Sequence, residues 1–199
     1  MIDRPRRSLL LRSGAAACGV GLMRFDAVVN AADLPRWRAS EAARHLDGRP
    51  AVLLMRHELT EPGIGDPPHF KLGDCSTQRN LSAQGRDRSR ETGARLRAAG
   101  IHPERILSSR WCRCLETARL AFGQVEPWPA LDSFFAQPGQ ADAQREQWLA
   151  GLERVQGGAP WMLVTHQVNI SAFLGQWTAM GEIIVAQRLG TRWQPVARI

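Results

Sequence analysis

Lysine is nearly missing from this sequence: Lys71 stands alone, and the rest of the 26 basic residues are arginine. Arginine is the cation whose planar fork matches phosphate two bonds at a time. The formal charge of +7 is a modest excess, part of it in Arg4, Arg6, Arg7, Arg12 and Arg24, so a nucleic-acid partner is not expected. Cysteine is also scarce, with four in 199 residues, and none of the spacings fits a structural zinc site. The chain has neither an apolar run long enough to span a bilayer nor an internal repeat, which excludes a membrane span and a solenoid. What remains, 44% hydrophobic and 23% charged residues, is the composition of one ordinary globular domain with a sizeable core.

The first 32 residues read differently from the rest. Arg6 and Arg7 precede Ser8 and three leucines, then a short small-residue apolar run through Ala17, Val20 and Leu22, then Val29-Asn30-Ala31. Basic, apolar and small-residue regions in that order describe an export signal cut after Ala31 or Ala32, and the paired arginines resemble a twin-arginine signal. Residues 1–32 are therefore expected to be an export signal and 33–199 the folded domain, placed in the periplasm with no stable membrane insertion once the signal is removed. Cleavage would leave Cys75, Cys112 and Cys114, of which Cys75 can pair with only one of the other two. Free buried cysteines are the alternative.

Apolar periodicity then sets out an alternating chain. The spacing predicts a helix over 37–46, closed by Gly48, and a buried strand over 51–55, since five consecutive apolar residues suit a strand covered on both faces. A Pro-, Gly- and Asp-rich loop follows over 58–80, long enough to be functional. Ser82 caps a helix over 83–99, in which Gly85, Gly93 and Ala94 permit close packing. A strand at 105–108, a helix over 111–122, an irregular stretch over 124–141 and a helix over 141–155 come next. A third buried strand at 161–164 runs into Thr165-His166 and a helix through Ile170 and Leu174. Two closing strands, 182–188 and 193–199, flank a turn at Gly190. Strands alternating with helices predict an α/β protein, a three-layer α/β/α sandwich with a mostly parallel central sheet.

In such sheets ligands bind beyond the carboxyl ends of the strands. Three apolar strands here end beside anion-binding side chains: Arg56-His57, Ser108-Ser109 with Arg113, and Thr165-His166. In that order, together with Asn80-Leu81-Ser82 and Thr117-Ala118, these motifs resemble the histidine phosphatase superfamily, also called phosphoglycerate mutase-like, over residues 50–199. The resemblance implies that His57 is a nucleophile forming a phosphohistidine, with Arg56, Arg113 and His166 holding the phosphoryl group. A neutral imidazole suits that task if its other nitrogen is held by a hydrogen bond, and arginine forks match oxygens that gather charge during phosphoryl transfer. No metal or organic cofactor is required, because the cations are side chains. Arg110 reads as a surface residue.

The chain departs from the family pattern at two places. Glu58 follows His57 where the family has glycine, and Ser133 stands where many members carry a glutamate, with Asp132 one residue earlier. Asp132 is the first candidate for a general acid and Glu58 the second; the favoured reading of Glu58 is an incidental residue pointing away, the other a local proton donor. His45, His69 and His102 read as surface or structural residues, and a metal site of His57, His166 and Asp74 lacks ligand spacing. Phe70, Phe134 and Phe135 are candidates for a substrate lid or for the core. The expected partner is a small phosphorylated substrate. Among exported relatives the chain most resembles small periplasmic phosphatases proposed to act on lipopolysaccharide-core heptose phosphate. A non-catalytic module that recognises a phosphate-bearing molecule in the same pocket is the alternative.

Overall fold

The computed structural model describes residues 34–46, 48–62 and 66–199. The proposed signal over 1–32 lies outside the described residues. Among those described, no helix is long and apolar enough to cross a membrane.

The expected α/β/α sandwich is present. Its sheet holds β1 (Ala51–Arg56), β2 (Arg105–Ser108), β3 (Glu126–Pro127), β4 (Trp161–Thr165), β5 (Ile183–Leu189) and β6 (Arg192–Arg198), in the order β3-β2-β4-β1-β5-β6. The pairs β3-β2, β2-β4 and β4-β1 are parallel, whereas β5 and β6 join antiparallel as a closing hairpin.

Strand alternation divides the core in two. Leu53 and Met55 of β1 face one layer, built by α1 (Ala39–Leu46), α2 (Ala83–Ala98) and α3 (Cys112–Phe122), where Leu46, Leu96 and Ala118 are buried. Val52 and Leu54 face the other, where Trp148 and Leu152 of α4 (Ala141–Leu152) join Ile170 and Phe173 of α5 (Gln167–Leu174). Successive strand side chains point to opposite faces, so an unbroken apolar run serves both layers at once.

Besides shifts of one to three residues at element ends, three features differ from the sequence expectation, each for a local reason. The first helix starts at Ala39 because Trp37 N–H donates to the Arg198 carbonyl at 2.8 Å, which holds residues 36–37 as an extension beside β6. The stretch expected to be irregular contains β3, a two-residue edge strand, where Pro127 is tolerated because an edge needs fewer donors. The long loop contains a 3-10 turn at Cys75–Thr77, capped by Asp74.

Gly93 sets the distance between α2 and α3. A Cβ built there would lie 1.9 Å from the Ala121 carbonyl oxygen, which is backbone and has no side-chain rotamer by which to yield. Gly93→Ala should therefore lower the unfolding free energy by roughly 1–3 kcal/mol through overpacking, measured by denaturant melts. An unchanged midpoint would mean that the helices separate at no cost.

Candidate active site

Parallel pairing brings the ends of β1, β2 and β4 to one edge. Arg56 lies opposite Thr165, and Ser108 opposite Val164. The ladder continues one residue further, with His57 N–H donating to the Thr165 carbonyl and Ser109 N–H to the Val164 carbonyl, both at 3.0 Å. On the other side, Gly181 N–H reaches the carbonyls of Arg56 and His57, each at 3.1 Å.

The rings of His57 and His166 meet edge to face with centroids 5.5 Å apart. His57 Nδ1 lies 2.9 Å from the Glu58 carbonyl. A carbonyl can only accept, so Nδ1 carries the proton and Nε2 keeps its lone pair. Burial, then the charge of Arg113, push His57 well below its ordinary value of 6.5, with Arg56 and Arg79 acting the same way and the Glu58 carbonyl opposing them. His166 is driven well below the same value by burial, then Arg113 and His57.

Three guanidinium groups surround this pair. The Nε atoms of Arg56, Arg79 and Arg113 are all buried and without a hydrogen-bond partner among the described residues. Arg56 is anchored by Nη1, which donates to the Thr178 carbonyl at 2.8 Å. Arg113 lies over the Trp111 ring at 4.5 Å and pairs with the Asp66 carboxylate through Nη1 at 2.7 Å and Nη2 at 3.1 Å. Burial lowers the pKa of Arg56 and Arg79, and the neighbouring arginines lower it further. Buried N–H groups without acceptors are costly, and clustered like charges more so, which makes this a place where an anion is stabilised.

Asp132 and Glu58, the two expected acids, stand elsewhere. Asp132 is clamped by Arg110, whose backbone N–H and Nε each donate to it at 2.7 Å. It also accepts from Ser109 Oγ at 3.2 Å, and that oxygen is 2.9 Å from His166 Nε2. An ionised Asp132 can only accept, so it takes the hydroxyl proton and His166 Nε2–H donates to Ser109. Asp132 is thus linked to His166 through Ser109 and orients its ring. Arg110 is its holder and not merely a surface residue.

Glu58 turns toward α2. Its carboxylate is 3.5 Å from Arg88 and packs on Gly181, where a Cβ would come within 2.3 Å of it. It lines a cavity of about 400 Å³ with Arg36, Arg95 and Met180, and neither His57 nor Arg113 faces that cavity. Burial raises its pKa, with Arg88 opposing.

Sequence reasoning missed Arg79 and Asp66, which lie in the long loop and have no strand end to mark them. The loop is fixed by a Cys75–Cys112 disulfide, and by Cys112 N–H donating to Gln78 Oε1 at 2.9 Å. Cys114 remains free and buried, its thiol pushed up to about 12 chiefly by burial, which makes it a poor nucleophile. Asp74 caps its turn by accepting from Ser76 N–H at 3.0 Å. Among the described residues no His, Cys, Asp and Glu grouping suits a metal ion. His45, His69, His102 and Phe135 are exposed, Phe134 is buried, and Phe70 packs on Trp111 at 4.3 Å.

Solved structures share this architecture. The protein histidine phosphatase SixA complexed with tungstate superposes with a TM-score of 0.53 at 17% identity, covering 75% of this chain and 96% of that one. The alpha-ribazole phosphatase from Shigella flexneri gives 0.53 at 16%, covering 72% and 93%. A mutant phosphoserine phosphatase from Entamoeba histolytica, in complex with phosphoserine, gives 0.55 at 14%, covering 74% and 95%. The fold is that of the histidine phosphatases. No family model and no curated protein matches the chain.

Within this histidine phosphatase fold, two imidazoles are held below their ordinary value of 6.5. Between that value and their folded-state values the unfolded chain binds more protons than the folded one, so stability falls as pH drops through this window. Inorganic phosphate supplies the missing countercharge and should offset the loss. Thermal melts between pH 7 and 5, with and without phosphate, are expected to diverge toward the acid end. Parallel curves would show that the imidazoles do not face the anion.

Proposed function

We propose that this chain is a phosphomonoesterase working through a phosphohistidine on His57. The observation that carries the reading is the convergence of two imidazoles, 5.5 Å apart, on three arginines with buried, unpartnered Nε atoms. His57 Nε2 attacks phosphorus with its lone pair, while Arg56, Arg79 and Arg113 hold the equatorial oxygens, where charge accumulates, and His166, its Nε2–H committed to Ser109, lines the pocket beside them. Water then hydrolyses the phosphohistidine and releases phosphate. No residue here calls for a metal or organic cofactor to supply the positive charge. Glu58, which with the missing loop glutamate is a ground for a non-catalytic phosphate-binding module, faces another cavity, so that alternative keeps only the second ground.

Hydrolysis of p-nitrophenyl phosphate should fall to background in His57→Ala, and by about 100- to 1,000-fold in Arg113→Ala, the usual cost of losing one preorganised charge donor. Acid-labile, base-stable phosphate should be trapped on His57. Wild-type activity surviving in His57→Ala sinks this mechanism.

The substrate proposed is a small phosphorylated molecule, with sugar phosphates of the lipopolysaccharide core the first to screen. Export to the periplasm is proposed from the order of regions in residues 1–32, and a Cys75–Cys112 disulfide fits an oxidising compartment. Fractionated cells should yield a periplasmic form beginning at Ala32 or Asp33 with those two cysteines resistant to alkylation. A cytosolic protein with an intact amino terminus and free thiols contradicts this.

A further inference from the structure

The cavity of about 400 Å³ beside Glu58 takes no part in the phosphatase reading, and its size suits a small molecule. It adjoins the main chain of His57. Glu58 and Gly181 both line it, and the same two residues hold that main chain, through the Glu58 carbonyl on His57 Nδ1 at 2.9 Å and through Gly181 N–H on the Arg56 and His57 carbonyls.

Two carboxylates in its lining are poorly compensated. Glu58 is 1% exposed, yet among the described residues its carboxylate accepts one hydrogen bond, from Leu59 N–H at 3.3 Å, and its ion pair with Arg88 Nε is long, at 3.5 Å. Glu182 has Oε2 satisfied by Ala179 N–H at 3.0 Å and Arg198 Nη1 at 2.9 Å. Its Oε1 is buried with no hydrogen-bond partner among the described residues and faces Arg36, whose side chain is 76% exposed, at 3.2 Å. A buried carboxylate keeps its charge only beside a hydrogen-bonding partner of opposite sign. An ammonium group, a compact charge with three donors, meets that need. Met180 and Ile199 add carbon to the walls, and among the described residues no grouping of ligands suits a metal ion. Both observations favour an organic cation.

The rim carries the other sign. Residues 88, 91, 92 and 95 of α2 line the cavity at helical spacing, so one face of that helix forms a wall. Arg88 and Arg95 are exposed there, and the Arg95 guanidinium makes no hydrogen bond or ion pair among the described residues. Three arginines and three glutamates line the whole cavity, so a ligand of net charge would unbalance it. A molecule bearing both signs, cation inward and anion outward, matches buried carboxylates and exposed guanidinium groups together.

We propose that this cavity is a second binding site, which takes a small zwitterion whose primary ammonium bonds to the Glu58 carboxylate and whose anionic group meets Arg95. The exposed Arg88 side chain gives way to the ammonium at Glu58 and turns to the anionic end.

The test is calorimetric titration of the intact protein with glycine, β-alanine and γ-aminobutyrate, which vary the separation of the two charges. Butylamine and butyrate supply each charge alone. One of the three amino acids should bind saturably, at least about tenfold more tightly than either half, the worth of one charge-assisted hydrogen bond. Glu58→Gln and Arg95→Gln should each weaken it by a similar factor. Arg113→Ala, which alters the phosphate pocket and not this cavity, should leave the affinity unchanged. Should Glu58→Gln fail to fold, Arg95→Gln decides, because its side chain is exposed. No saturable binding of any of the three, butylamine binding as tightly as the best of them, full affinity in Arg95→Gln, or affinity lost in Arg113→Ala overturns the inference. The phosphatase reading is untouched by each of these outcomes, since none of them measures hydrolysis.

Discussion

Mutual repulsion among Arg56, Arg79 and Arg113 is the constraint around which this molecule is arranged. Each guanidinium buries an Nε–H with no acceptor among the described residues, and each lowers the proton affinity of His57. Such a cluster persists only if something stronger holds it in place. Here that is the sheet, whose central strands β1 and β4 are buried except at Arg56, together with anchors behind each side chain: Thr178 for Arg56, Asp66 and the Trp111 ring for Arg113, and a disulfide-fixed loop for Arg79. The folding free energy of the core is in this sense stored as unfavourable electrostatics at one edge, which an anion relieves.

The same electrostatics keep His57, the proposed nucleophile, uncharged. An imidazolium cannot attack phosphorus, and a lone imidazole near neutral pH spends part of its time protonated. Surrounding His57 with positive charge and removing it from water suppresses that state, while the Glu58 carbonyl fixes which nitrogen keeps the proton. The departure at position 58 from the family's glycine leaves this arrangement intact because only the backbone carbonyl of that residue takes part. Its side chain is directed to a different cavity.

The parts of the site on regular structure were legible in the sequence. Five-residue apolar runs announced β1 and β4, and because parallel strands end at a common edge, His57, His166 and the Arg113 helix had to approach one another. Arg79 and Asp66 were not legible, since a loop has no periodicity and their positions depend on a Cys75–Cys112 link that the sequence left open between two partners. Asp132 was noticed but assigned a chemical role, because its commitment to Arg110 is a contact across 22 positions that no local pattern encodes. Local rules located the frame and half of the charges. Tertiary contacts decided what each carboxylate does.

The Gly181 amide, bonded at once to the carbonyls of Arg56 and His57, faces the Thr165 carbonyl that receives His57 N–H from the opposite side. With its main chain bonded from both flanks, His57 is held by its backbone, and its ring, the proposed nucleophile, turns about its own side-chain bonds. In the proposed reaction the phosphoryl group would then be the part that moves, toward a ring whose backbone is fixed.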